Sequence, residues 1–182
     1  MSVAKKTISF SLDSASIDQA IREIEKYRDD LLNAMNDLVR RLTEDGVRVA
    51  SVNVQRLGAL DTGELADSFI GIYNDSTHVG ILRTDCWYAV FVEYGTGVVG
   101  AGSPYTGPFM TGPVSVTNPY TGNSYTYSAY DQNGHGDDGW WYISERDGHR
   151  HWTKGQPSRP FFYQTYMDLI RMAEQAFKNL QV

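Results

Sequence analysis

The spacing of apolar residues changes character several times along this chain. Ile8, Phe10 and Leu12 alternate with polar neighbours, the two-residue period of a half-buried strand. From Ile17 the period lengthens: Ile21, Ile24, Leu31, Met35, Leu38 and Leu42 recur at helical spacing, with Tyr27 or Arg28 filling the turn between. Ser16 and Gln19 stand at capping-box spacing ahead of this run. Gly46 offers a C-terminal stop. The pattern predicts an amphipathic helix of about eight turns, whose stripe can pack on the protein's own sheet or on a coiled-coil partner. Val47, Val49, Val52 and Val54 fit neither period cleanly and are read as a further helix.

Asp61 and Glu64 are placed to cap a short helix. The stretches SFIGIYND and THVGILRTD then alternate apolar and polar residues around Asn74, Asp75 and Ser76, which predicts a hairpin. Ala89, Val90, Phe91 and Val92 suit a buried strand, or equally a short helix stopped by Gly95. Between residues 97 and 155 the composition shifts: eleven of the 17 glycines lie here, and no leucine occurs between Leu82 and Leu169. Short strands are expected around Val114–Val116 and Tyr125–Tyr127. Without aliphatic residues this segment must borrow burial from elsewhere. Phe162, Tyr166, Leu169, Met172 or Ala173, Ala176 and Leu180 form the stripe of a closing helix with Pro160 in its first turn. The expectation is one α+β domain spanning residues 1–182: a small antiparallel sheet packed against a long N-terminal helix and a C-terminal helix, with a Gly/Tyr/Trp-rich insertion at about 98–155.

Composition narrows the function. The single cysteine, Cys86, leaves no intrachain disulfide and no cysteine cage for zinc, and so reads as structural. No apolar run reaches the roughly 18–20 residues a membrane span needs, and the first residues lack the apolar core of a secretion signal. The formal net charge is −6, unevenly spread. Residues 61–100 carry Asp61, Glu64, Asp67, Asp75, Asp85 and Glu93 against Arg83 alone. No Lys/Arg stripe of the kind that neutralises phosphates is present, which argues against tight nucleic-acid binding.

Residues 139–161, GWWYISERDGHRHWTKGQPSRPF, concentrate the unusual chemistry. His149 and His151, two apart, would face the same side of a strand and are candidate metal ligands, with His135, Asp137 and Asp138 as possible additions. Yet no HExxH and no helical histidine pair accompanies them. Glu64, Glu93 or Glu145 could pair with Asp61 or Asp138 for glycoside hydrolysis, which needs two carboxyls at a set separation. No serine sits in a GxSxG elbow. GTGVVG lacks the βαβ context of a dinucleotide fingerprint and reads as a hinge. Trp140, Trp141 and Trp152 could stack on sugars, or could supply the insertion with burial within the subunit or at a subunit interface. A cell-wall hydrolase or carbohydrate-binding module is therefore the alternative to an assembly role.

Four segments, in this order, resemble a known family. ALDTGELADSF (residues 59–69) is similar to its TGxLxxS element, and WYAVFVEYGTG (87–97) to its YAxxVExGT element. GWWYISERDGHRHWTKG (139–155) resembles an aromatic element found in a subset of members, and QPSRPFFYQTYMDL (156–169) the xRPF start of the last helix. The family is that of the tail-completion or head–tail joining proteins of long-tailed bacteriophages, minor tail components. The resemblance runs from about residue 17 to the end. The segment 104–136 is longer than the family pattern, and the N-terminal strand falls outside it.

The resemblance implies a non-enzymatic structural protein without cofactor, in the virion at the head–tail junction and in the host cytoplasm during assembly. Its partners would be further copies of itself in a six-membered ring, the tail tube protein, and head-completion or connector proteins. Genome DNA would pass through transiently without specific binding, and no membrane would be involved. Trp140, Trp141, Tyr142, Trp152, Tyr125, Tyr127 and Arg159 become expected interface residues, since aromatic residues and arginine dominate interface hot spots. The motif positions Thr62, Gly63, Glu64, Leu65, Glu93, Gly95, Thr96, Pro160 and Phe161 are expected to be structural. Thr62 and Glu64 would cap a helix and Gly63 permit a close approach. Glu93 would accept backbone amides or pair with Arg159, whose side chain would reach outward.

Overall fold

The computed structural model describes residues 7–103, 105, 107, 114–127, 139–144 and 147–180. Its elements are α1 (Ser14–Arg56), α2 (Glu64–Asp67), β1 (Phe69–Asn74), β2 (Val79–Thr84), α3 (Ala89–Tyr94), α4 (Gly97–Gly102), β3 (Val114–Thr117), β4 (Ser124–Tyr127), β5 (Trp140–Ile143), β6 (Arg150–Thr153) and α5 (Phe161–Leu180). The protein is α+β, with a long N-terminal helix and a C-terminal helix. Among the described residues there are, instead of one small sheet, three separate two-stranded ones, pairing β1 with β2, β3 with β4 and β5 with β6. The four-residue strands β3 to β6 have no shared aliphatic face from which to extend a common sheet.

α1 is 43 residues long, about twelve turns rather than eight, and Ser14 follows directly on residues 7–13, which form no strand. Its start is not the Ser16–Gln19 capping box. Asp13 Oδ1 accepts the Ser16 amide at 2.9 Å, Ser16 Oγ accepts the Ser11 amide at 2.9 Å, and Gln19 turns to Glu23. The helix runs through Gly46 because the glycine serves packing rather than termination: a Cβ there would lie 3.2 Å from Leu82 Cδ2. The valine alternation after Gly46 concealed a helical face made of Ala50, Asn53 and Val54, all buried. The stop comes at Gly58, with φ 67°. There the Ala59 amide donates to Val54 O at 2.9 Å and the Gly58 amide to Gln55 O at 3.0 Å, the paired bonds of a Schellman cap.

The chain forms two compact units. The first comprises residues 1–47, 71–82 and 167–182. Here Gly71 and Gly80 let the hairpin lie close on α1 at the buried Thr43: a Cβ on Gly71 would sit 2.8 Å from Thr43 O, and one on Gly80 would overlap Thr43 Oγ1. Thr43 Oγ1 is itself held on Val39 O at 2.8 Å. Arg40 lies over the Tyr73 ring, 5.0 Å from its centre, and pairs with Asp75 at 2.6 Å. The turn of the hairpin is made by Asn74, whose Oδ1 accepts the Ser76 and Thr77 amides.

The second unit comprises residues 48–70 and 83–166. Leu65, Phe69, Ala89, Val92 and Phe161 are buried in it, and the Phe69 and Phe161 rings meet edge to face at 5.8 Å. Asn53 and Thr165 are buried there as a polar pair: Asn53 Nδ2 donates to Thr165 Oγ1 at 3.1 Å, and Thr165 Oγ1 donates to Phe161 O at 2.7 Å. The borrowed burial of the insertion is visible at Tyr125, which stacks on Trp87 at 6.0 Å and meets Phe91 at 6.2 Å. Cys86 is buried and its thiol is pushed up to about 11 by desolvation, which disfavours thiolate chemistry.

Candidate assembly surface and its scaffold

The four motif segments meet in the second unit, apart from residues 167–169 of the last. Of the two readings open for residues 89–94, the helix is the one adopted, and Gly95 ends it with φ 79° and ψ 169°. The strap Gln156–Arg159 lies along α3. Gln156 Nε2 donates to Phe91 O at 3.1 Å, the Arg159 amide to Val92 O at 2.9 Å, and Ser158 Oγ to Glu93 O at 2.7 Å. Thr96 and Gln156 exchange backbone hydrogen bonds of 2.9 and 3.1 Å. The close approach requires glycine at 95, where a Cβ would sit 2.6 Å from the Ser158 nitrogen.

Glu93 completes this lock. α5 begins at Phe161, directly after Pro160, which has no side-chain oxygen with which to cap it. The cap comes instead from α3: the Glu93 carboxylate accepts the amides of Phe162 at 2.8 Å and Tyr163 at 3.0 Å. These are two of the orphan donors of a helix start. Burial pushes the carboxyl up to about 7, while the Phe162, Tyr163 and Phe161 amides pull it the other way. Arg159 is not its partner; the guanidinium is half-buried and donates to Gln156 Oε1 at 3.2 Å. The remaining motif positions are quieter. Thr62 Oγ1 accepts the Glu64 amide at 3.4 Å, Glu64 Oε1 accepts from Tyr120 Oη at 3.4 Å, and Leu65 is buried. A Cβ on Gly63 would meet Asp67 Oδ2 at an ordinary contact distance of 3.8 Å, so the glycine is needed for its φ of 96° rather than for a close approach.

The β5–β6 hairpin stands on this scaffold by one face. Strand register pairs Trp141 with Trp152 and Tyr142 with His151, so alternation divides the tryptophans. Trp140 faces inward: a Cβ on Gly97 would meet its ring at 2.8 Å. Tyr142, on the same face of the strand, is exposed and lies beside the His151 ring at 5.7 Å. GTGVVG is accordingly no hinge: Gly95 ends α3, Gly97–Gly100 open α4, and Gly97 receives the tryptophan. Trp141 and Trp152 lie on the opposite face, edge to face at 5.5 Å and 56% and 47% exposed. Arg150 sits over the Trp141 ring at 5.7 Å, and Ile143 is 68% exposed. Sequence reasoning missed Arg150 and Ile143; the two-residue period, counted outward from Trp141 and Trp152, identifies both. Tyr125 is on β4 in contact with Trp87 rather than on this face, and the Tyr127 side chain lies outside the described residues.

The other candidate chemistry does not converge. β6 begins at Arg150, so His149 lies in the turn before the strand. Its amide donates to Asp147 Oδ1 at 2.9 Å, and His151 Nε2 lies 2.9 Å from Asp147 Oδ2. The His149 amide, together with the His151 ring, holds Asp147 below the usual carboxylate range. Among the described residues no group of three His, Cys, Asp or Glu is placed to hold a metal; His135, Asp137 and Asp138 lie outside them. Glu93 is spent as a cap, and Glu145 and Asp138 also lie outside the described residues. No helix among them is long and apolar enough to cross a membrane. No family model, curated protein or solved structure matches the chain.

Proposed function

We propose that this protein is a structural subunit of a phage neck. Six copies form a ring that joins the connector to the tail tube and leaves a channel through which the genome passes. The observation that carries the reading is the order of the four motif segments together with what their residues do. Glu93, Gly95, Thr96, Pro160 and Phe161 build a lock around the start of α5 and present no reactive group. The same scaffold holds out Trp141, Ile143, Arg150 and Trp152, a small apolar face with a cation, the composition that interface centres favour. A ring needs two unlike faces on each subunit. The first unit adds exposed Ile72, Val79 and Ile81 on its hairpin, a further surface suited to burial on assembly. The acidic stretch 61–100 suits a wall along which DNA slides.

The test is the solution mass of the protein by light scattering, alone and with purified tail tube protein, with electron microscopy of any assembly. A closed ring, alone or with that partner, supports the reading, and Trp141→Ala should weaken it while leaving a folded subunit. A monomer that ignores tail proteins and binds cell-wall glycan would replace the reading with the carbohydrate-binding one. The Trp141 and Trp152 rings stand 65° apart, an arrangement that offers no common plane for a sugar.

A further inference from the structure

Residues 7–12 carry the period of a strand and form none. Ile8, Phe10 and Leu12 alternate with Thr7, Ser9 and Ser11, a composition suited to a pleated, half-buried surface. Yet Phe10 is 58% and Leu12 95% exposed. The same unit holds a sheet that stops at two strands. Gly71 and Gly80 turn one face of the β1–β2 hairpin onto α1. Alternation therefore puts Ile72, Val79 and Ile81 on the other face, where all three are exposed. β2 is the more open strand: Val79, Gly80, Ile81 and Arg83 are exposed along it. Among the described residues no third strand pairs with either edge. Such an edge offers a row of backbone donors and acceptors to an extended segment that fits.

The arm cannot reach the hairpin of its own chain. A Cβ on Gly80 would lie 3.4 Å from Val39 Cγ1, which seats β2 beside Val39, 25 residues along α1 from Ser14. That is about 37 Å of helix, whereas the chain from Thr7 to Ser14, fully extended, spans at most about 25 Å. Every copy thus carries one arm with a strand's period and one open edge, and exchange between copies satisfies both. The sheets of the second unit suit the arm less well. β3 and β4 pair Ser115 with Thr126 and Thr117 with Ser124 through their hydroxyls, and β5 and β6 turn out tryptophans and Arg150. We propose that residues 7–12 of one copy add as a third strand to the β2 edge of a second copy. Ile8, Phe10 and Leu12 then become cross-strand neighbours of Val79 and Ile81. This names what covers the hairpin face, and it holds whether the assembly is a phage ring or another oligomer of this chain.

The test uses two full-length chains, both with Cys86→Ala, produced together and told apart by a tag. One carries Phe10→Cys and the other Ile81→Cys. Mild oxidation should link them, at least tenfold more than when the second chain carries Ile143→Cys instead. Adding Ile8→Pro and Leu12→Pro to the first chain should abolish the link, because proline cannot donate to a strand ladder. Hydrogen exchange reads the same pairing without cysteines. Amides of residues 7–12 and of β2 should exchange at least tenfold more slowly in the wild type than in the double proline variant, while those of α5 exchange alike and show both to be folded. Equal linking to Ile81→Cys and Ile143→Cys would overturn the proposal, as would β2 protection that survives the prolines. So would a chain carrying both Phe10→Cys and Ile81→Cys that closes only on itself. A ring that forms without the link would refute the exchanged arm and leave the neck-protein reading standing.

Discussion

Glu93 Oε2 accepts the amide of Phe162 at 2.8 Å, joining α3 to the first turn of a helix 69 residues further along the chain. With Oε1 on the Tyr163 amide, one buried carboxylate caps two of the first amides of α5. Glu93→Ala leaves both donors without their acceptor, a loss of about 1–3 kcal/mol for each buried group stranded. Glu93→Gln keeps one amide oxygen and should cost less than half as much. Urea unfolding of the three proteins checks the order; equal stability for the alanine variant would deny the cap any role.

The same carboxyl sets a pH dependence with a definite sign. Its pKa rises from an ordinary 4.5 to about 7 in the fold, chiefly through burial. Between those values the folded protein keeps a proton that the unfolded chain has lost. The contribution of Glu93 is therefore fully present below about 4.5 and declines as pH rises towards 7, by about 1 kcal/mol per pH unit. Other carboxylates act in the opposite direction, so the clean quantity is the difference between wild type and Glu93→Gln. That difference should shift in favour of the wild type as the pH is lowered from 7 to 5. A constant difference would mean that Glu93 titrates in its usual range.

Two glycines with positive φ should respond very differently to alanine. Gly58 has φ 67° and open space around it; Gly95 has φ 79° and would drive a Cβ against Ser158 and Gln156. Gly58→Ala should cost about 1 kcal/mol, the strain of the left-handed conformation alone. Gly95→Ala adds a backbone collision in the lock and should cost more than about 3 kcal/mol, or prevent folding. Thermal melting followed by circular dichroism separates them, and a Gly95→Ala protein as stable as Gly58→Ala would show that the strap can move aside.

Local pattern made much of this fold legible, and non-local contacts account for the misses. The β1–β2 hairpin, the short strands around 114–116 and 125–127 and the helix after Pro160 were all readable because period and turn chemistry agree with the final structure. α1 was cut short at Gly46 because a glycine chosen by Leu82 and Leu169 looks, in sequence, like one chosen to end a helix. Its continuation was hidden because the buried face uses Ala50 and Asn53, which carry no apolar period. At the site, Glu93 and the xRPF segment were recognisable as motif residues. What sequence could not assign was the capping partner, since Glu93 and the two amides are brought together only by the fold. The three tryptophans looked equivalent until the register of β5 on β6 divided them.

That division is measurable. Trp140 lies on Gly97 within the second unit, whereas Trp141 and Trp152 face outward. Trp140→Ala should lower stability by about 2–4 kcal/mol, as buried aromatic truncations do. Trp141→Ala should stay within about 1 kcal/mol, the worth of its edge contact with Trp152 and of Arg150 over its ring. Denaturation midpoints decide it; a large loss at Trp141 would make that residue part of the fold rather than of a contact surface.

The buried pair of Asn53 and Thr165 gives the sharpest test of how α1 and α5 are joined inside the second unit. Thr165 Oγ1 both accepts from Asn53 and donates to Phe161 O, so its bonding capacity is used in two directions. Thr165→Val has nearly the same shape but can do neither. It removes the acceptor that Thr165 offers to the buried Asn53 amide, at about 1–3 kcal/mol. Asn53→Leu removes the polar group from the other side and leaves Thr165 with its Phe161 bond. Combining the two replaces a polar contact by an apolar one, which is far less costly than breaking it from one side. The double variant should therefore be more stable than the sum of the single losses predicts, by at least about 1 kcal/mol in a double-mutant cycle. Strict additivity would mean that the 3.1 Å contact contributes nothing, and that the two residues are buried for separate reasons.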